Sequence, residues 1–87
     1  MQNSVCIHLA RNVQRLRKGQ GWSKVALAEI CGLHRNSVND IENGEANPTL
    51  KVICLLAEQL GTSPEKLISP QVRKRVRPKM VVAKLNT

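Results

Sequence analysis

The sequence predicts an all-α domain of five short helices over residues 1–69, followed by a basic C-terminal segment at 70–87. Three observations predict it. Apolar side chains recur at helical spacing in short segments; Ser, Thr, Gly and Pro punctuate those segments where helix ends need them; and Lys24 to Asn43 reads as two short helices joined by a tight turn. At 87 residues the chain supports one small domain with a thin core. Phe and Tyr are absent and Trp22 is the sole aromatic, so that core must be aliphatic.

From Val5 to about Lys18, Cys6, Leu9, Val13 and Leu16 repeat at helical spacing, with Arg11, Arg15, Arg17 and Lys18 on the remaining surface. Gly19-Gln20-Gly21 stops this first helix, and Trp22 is expected to fold back onto the core. Ser23 suits the N-cap of the second helix, although no Glu or Gln follows three residues later to complete a capping box. The third helix begins at about His34 or Arg35 and ends at Asn43-Gly44, where the glycine suits a left-handed cap.

Asn47-Pro48 breaks the chain and Thr49 caps the fourth helix, LKVICLLAEQL, whose expected apolar stripe is Leu50, Ile53, Leu56, Ala57 and Leu60. Gly61 ends it. Ser63-Pro64-Glu65 combines an N-cap, a proline at the first helical position and an acid in the first turn, so a short fifth helix should run from Pro64 to Ser69. Beyond Pro70 the sequence QVRKRVRPKMVVAKLNT has no helical periodicity. It reads either as a basic arm or, at MVVAKL, as a strand that would pair with its symmetry mate.

Within Lys24 to Asn43, Leu27, Ala28 and Cys31 form one apolar face, with Ala28 small enough for a second helix to cross closely. Gly32 marks the turn. After it, Val38 and Ile41 point one way while Arg35, Asn36, Asn39 and Asn43 cluster on the other side. One helix is anchored and the next offers amides and an arginine to solvent.

These residues resemble the helix-turn-helix of the Cro/XRE-type phage-repressor family. Further matches are Trp22-Ser23, Ile41-Glu42-Asn43-Gly44, Asn47-Pro48-Thr49-Leu50 and Leu60-Gly61, so the resemblance covers about residues 5 to 69. It implies a compact repressor-like domain whose third helix enters the DNA major groove. On that helix Arg35 can give two parallel hydrogen bonds to guanine O6 and N7, and Asn36 or Asn39 can pair with adenine N6 and N7. His34 stands where similar proteins carry Ser, Thr or Gly; it is a poorer cap, and its cationic form would favour a polyanion. Asp40 either accepts from cytosine N4 or positions Arg35 or Asn36.

By the same resemblance Ser23, Lys24, Ser37 and Asn43 are expected at backbone phosphates, although Ser37 lies angularly nearer the core side. Lys24 replaces the family's glutamine, keeping a point charge but losing the acceptor that buttresses the recognition helix. Arg17 and Glu42 correspond to a structural ion pair joining the first helix to the end of the third. Leu55, Val25 and Ile30 are apolar where comparable proteins are polar. They are either scattered surface hydrophobes or part of a subunit interface, in which Leu55 would sit beside Leu67 and Ile68.

The charge agrees with a polyanionic partner. The net charge is +8, and residues 70–87 hold six Lys/Arg and no acid, whereas residues 1–69 hold eight Lys/Arg against six Asp/Glu. With one aromatic there is no stacking platform for single strands, which leaves the duplex. Cys6, Cys31 and Cys54 form no CxxC pair and no metal-ligand spacing with histidine; Cys31 and Cys54 are expected to be buried small hydrophobes, in a reducing, cytoplasmic setting. No signal peptide or membrane span is expected.

No cofactor, metal or catalytic set is expected either, since two histidines, few acids and no phosphate-binding loop leave nothing to build one from. The resulting expectation is a homodimeric regulator that binds double-stranded DNA, most simply a repressor. The alternatives are an antitoxin that also binds a toxin, a restriction-modification or phage controller, and a protein adaptor that does not bind DNA.

Overall fold

The computed structural model describes residues 4–70. Five helices follow one another: α1 Ser4–Gly19, α2 Lys24–Cys31, α3 Arg35–Glu42, α4 Leu50–Leu60 and α5 Pro64–Leu67. The two alternatives for the C-terminal segment, arm or strand, concern residues outside the described ones.

Local chemistry sets the helix starts. The side-chain oxygens of Ser23, Thr49 and Ser63 accept from the backbone N–H groups of Ala26, Val52 and Lys66, which otherwise have no intrahelical partner. The turn between α2 and α3 is closed by Gly32 at φ 69°, around which Leu33 N–H reaches back to Ala28 O at 2.8 Å. Any residue with a Cβ is strained at that φ, so glycine is what lets α3 leave α2 so abruptly. Gly44 does the same service at the end of α3, with φ 74° and Glu45 N–H bonded to Asp40 O at 3.0 Å.

Leu9, Val13, Leu27, Ala28, Cys31, Val38, Ile41, Leu56, Ala57, Leu60 and Leu67 pack into one aliphatic core, with Trp22 laid partly over it. Burying each of the large aliphatic side chains contributes about 1.5–3 kcal/mol. α3 packs on α2 and α1 through Val38 and Ile41, which leaves its remaining face uncovered.

Four expectations need correction. Leu50 is 71% exposed rather than part of the α4 stripe, because its turn projects past the edge of the core. Cys54 is exposed: one position after Ile53, it is turned about 100° off the inward face onto the flank of α4. The fifth helix stops at Leu67 instead of Ser69. Leu67 is fully buried in the core of its own chain and offers no surface to a second subunit.

Leu67 is held there by a residue the periodicity had passed over. Asn12 occupies the i+3 place in the stripe Leu9, Val13, Leu16 and is itself buried. Its Nδ2 donates to the carbonyls of Leu67 at 2.7 Å, Ser69 at 2.8 Å and Lys66 at 3.2 Å, closing the C-terminal end of α5 onto α1. A short helix leaves its last carbonyls unpaired, and one buried amide answers that need.

Candidate nucleic-acid interface

The recognition helix is fixed from behind before it offers anything in front. Glu42, the last residue of α3, is buried and receives Arg17 Nε at 2.6 Å on Oε2 and Nη2 at 3.0 Å on Oε1. The third guanidinium nitrogen, Nη1, donates to Trp22 O at 2.8 Å, so the ion pair also holds the chain that leads into α2. Gln14 Nε2 donates to the backbone carbonyl of Glu42 at 2.6 Å. Two-pronged geometry in a buried place leaves α3 little freedom to rotate about its axis.

With that orientation set, His34, Arg35, Asn36, Ser37, Asn39 and Asp40 are all exposed. Ser37 is therefore on the outer surface and not turned to the core. Its flank of α3, shared with Asp40, faces the segment Ala46 to Val52 across a shallow hollow of about 300 Å3. Asn39 lies on the other flank, toward the start of α2.

His34 is the N-cap of α3, its Nδ1 accepting from Asn36 N–H at 3.1 Å. A ring nitrogen can do this only while unprotonated, so a cationic His34 would give up the cap as it gained affinity for a polyanion. Asp40 makes no hydrogen bond or ion pair to Arg35 or Asn36 among the described residues, so the positioning role considered for it is absent here. Asn43 is exposed and caps the C-terminal end of α3 beside Gly44. There Arg11, Gln14, Asn43 and Gly44 border a second hollow of about 270 Å3.

Lys24 lacks the amide's acceptor, as expected, yet still reaches the recognition helix as a donor. Its Nζ lies 3.0 Å from Asn39 Oδ1, joining the first residue of α2 to the exposed flank of α3. The roles of donor and acceptor are reversed relative to an amide at that place, and the link survives. Ser23, next to it, is exposed with its Oγ occupied as an acceptor in the cap; its hydroxyl proton is still available to a partner.

Elsewhere on the surface, Val25 and Ile30 are exposed, Leu55 is half-buried and Ile68 packs partly against the core. Among the described residues no helix is long and apolar enough to cross a membrane.

An anchored helix, a glycine turn and a polar helix presented to solvent define a helix-turn-helix, and comparison with known proteins gives the same class. The profile of the HTH_3 helix-turn-helix family matches residues 13–67. The control protein C.SmaI of Serratia marcescens is 43% identical over 63 residues, which is 72% of this chain and 75% of that protein. Among solved structures, the hypothetical transcription factor NHTF from Neisseria superposes with a TM-score of 0.74 at 32% identity, covering 80% of this chain and 83% of its own. The restriction-modification controller protein C.AhdI from Aeromonas hydrophila gives a TM-score of 0.69 at 31% identity, covering 75% of this chain and 98% of its own. The chain belongs to the HTH_3 helix-turn-helix family, the DNA-binding transcription regulators of Cro/C1 type.

Proposed function

We propose that this protein binds a specific double-stranded DNA operator as a homodimer and regulates transcription from it, without catalysis and without a cofactor. The observation that carries the reading is the uncovered face of α3. Val38, Ile41 and Glu42 are buried while His34, Arg35, Asn36, Asn39 and Asp40 are exposed on a helix pinned at its last residue by Arg17. Arg35 reads a guanine, Asn36 an adenine, and Asp40 accepts from cytosine N4; Ser23, Ser37 and Asn43 hold the backbone. The cytoplasm is the compartment in which such a regulator meets its DNA.

Two-fold pairing through Leu55 and Ile68, with Val25 and Ile30 as further apolar candidates, would place two recognition helices about 34 Å apart on one face of the duplex. Similarity to the control protein C.SmaI, and to C.AhdI over 98% of its length, favours a second and narrower reading, in which the regulated operon encodes a restriction-modification system.

Selection of bound fragments from random and self-genome DNA, the chain's own upstream region included, tests both readings. A palindrome with half-sites one helical turn apart is expected. Recovery of the upstream region of an adjacent restriction or methyltransferase gene supports the narrower reading. Failure to shift any duplex at low salt overturns both and favours a protein adaptor.

A further inference from the structure

The end of α3 differs from an ordinary helix C-terminus. The last carbonyls of a helix are normally unpaired and carry roughly half a negative charge, which repels an anion. Here four of them have donors: Asn39 O accepts from Asn43 N–H at 3.0 Å, Asp40 O from Glu45 N–H at 3.0 Å, Ile41 O from Gly44 N–H at 3.1 Å, and Glu42 O from Gln14 Nε2 at 2.6 Å. Glu42 borders the hollow beside them, but both of its carboxylate oxygens are taken by Arg17. What remains uncompensated at this hollow of about 270 Å3 is the guanidinium of Arg11, which is exposed and makes no hydrogen bond or ion pair among the described residues.

The hollow also adjoins the exposed face of α3. Asn39 and Asn43 stand four residues apart and so share the flank that faces the start of α2. Both are exposed, and Arg11, from α1, borders the same hollow as Asn43 and continues that polar row past the end of α3.

We infer that this hollow receives a phosphate of the duplex backbone and that Arg11 binds it, so that α1 meets the DNA as well as α2 and α3. The inference rests on the DNA-binding reading above and adds a contact from a helix which that reading leaves out. A guanidinium presents parallel donors that match two phosphate oxygens. Gln14 is the positioning residue, since by occupying Glu42 O it removes an acceptor that would oppose the phosphate. The contact carries no base preference; it fixes how α3 lies along the groove.

The test uses the full-length protein on a duplex that it selects and on a random duplex, over a series of salt concentrations. Arg11→Gln, Arg11→Lys and Lys66→Gln are compared, each checked for unchanged thermal unfolding. Lys66 is exposed on α5, which packs on α1 and α4, so Lys66→Gln removes the same charge away from the recognition helix. Arg11→Gln should weaken both duplexes by the same factor, roughly three- to tenfold, and lower the slope of log K against log salt by about 0.9 for each subunit bound. Arg11→Lys and Lys66→Gln should keep the native slope. Replacing backbone phosphates one at a time by neutral methylphosphonate should find one position per half-site that weakens the native protein and leaves Arg11→Gln unaffected.

An Arg11→Gln variant with the native slope overturns the inference, and so does an equal loss of slope in Lys66→Gln, which would make the effect one of net charge. It is overturned too if every methylphosphonate weakens Arg11→Gln as much as the native protein. In each of these cases the native protein still binds duplex and the DNA-binding reading stands. That reading falls, and the inference with it, only if the native protein shifts no duplex at low salt.

Discussion

Arg17 and Glu42 meet in a buried, two-pronged ion pair, Nε to Oε2 at 2.6 Å and Nη2 to Oε1 at 3.0 Å, that ties α1 to the last residue of the recognition helix. Both carboxylate oxygens are used, and the remaining guanidinium nitrogen is satisfied by Trp22 O. Glu42→Ala leaves the guanidinium buried without its counter-charge, at a cost of about 3–5 kcal/mol. A domain this small holds a total stability of the same order, so urea titration followed by circular dichroism should find the variant largely unfolded. The double substitution Arg17→Met with Glu42→Leu should recover much of the loss, since it removes both charges together.

Asn12 is the corresponding fastener midway along α1. Asn12→Ala strands the carbonyls of Leu67 and Ser69 and should cost about 1–3 kcal/mol. Asn12→Asp should be worse, because it sets carboxylate oxygens against three carbonyls. Thermal unfolding checks the order. Amide hydrogen exchange should show protection lost first at Leu67 and Ile68, the residues next to the released carbonyls.

His34 caps α3 through a ring nitrogen, which is a less favoured acceptor than a short oxygen-bearing side chain. His34→Asn should therefore hold or raise stability, and His34→Ala should lower it by about 1 kcal/mol. Duplex affinity separates a second role from the first. If His34 also touches DNA, His34→Asn will weaken binding even though its helix is as stable as before.

Arg35→Ala should relax base preference at one half-site position by about 1–3 kcal/mol and leave the other positions unchanged. Base-resolved selection measures this directly. Equal loss on specific and random duplex would exclude base reading by Arg35.

Cys31 and Cys54 should differ in reactivity. Burial pushes the Cys31 thiol up, which disfavours the reactive thiolate, and only 7% of the residue is exposed, whereas Cys54 is open to solvent. A thiol reagent at neutral pH should modify Cys54 within the native protein and reach Cys31 at the rate of unfolding. Mass spectrometry of partially modified protein gives the sequence of events.

Much of the fold was legible because its signals are local. Ser23, Thr49 and Ser63 cap helices by contacts three residues away, and Gly32 closes its turn within six residues. Chemistry confined to one turn is visible in one turn of sequence. The exposed set Arg35, Asn36 and Asn39 followed from the angular positions of Val38 and Ile41 for the same reason.

What went unread depends on where helices end relative to the core and on contacts between distant residues. Leu50 has the spacing of its stripe but sits beyond the core's edge, and spacing alone cannot say where a core stops. The apolar pattern of Leu67 fits a subunit interface as well as a core, and what decides between them is its burial in its own chain, where Asn12, 55 positions earlier, bonds its carbonyl. A clue lay in the sequence, since Asn12 interrupts an apolar stripe at an inward place, and a buried polar group needs partners. The partners themselves were not named there.

The sequence by itself determined that these residues make short capped helices, that one of them shows a polar face, and that the chain is basic; each follows from periodicity, end chemistry or composition. Only the tertiary structure decided that Leu67 belongs to the core, that His34 is spent on a cap, and that Lys24 holds the oxygen of Asn39. The physical reason is that hydrogen bonding and burial are properties of atoms brought within a few ångströms, and residues 15 or 55 positions apart are brought there by packing, which no local pattern encodes.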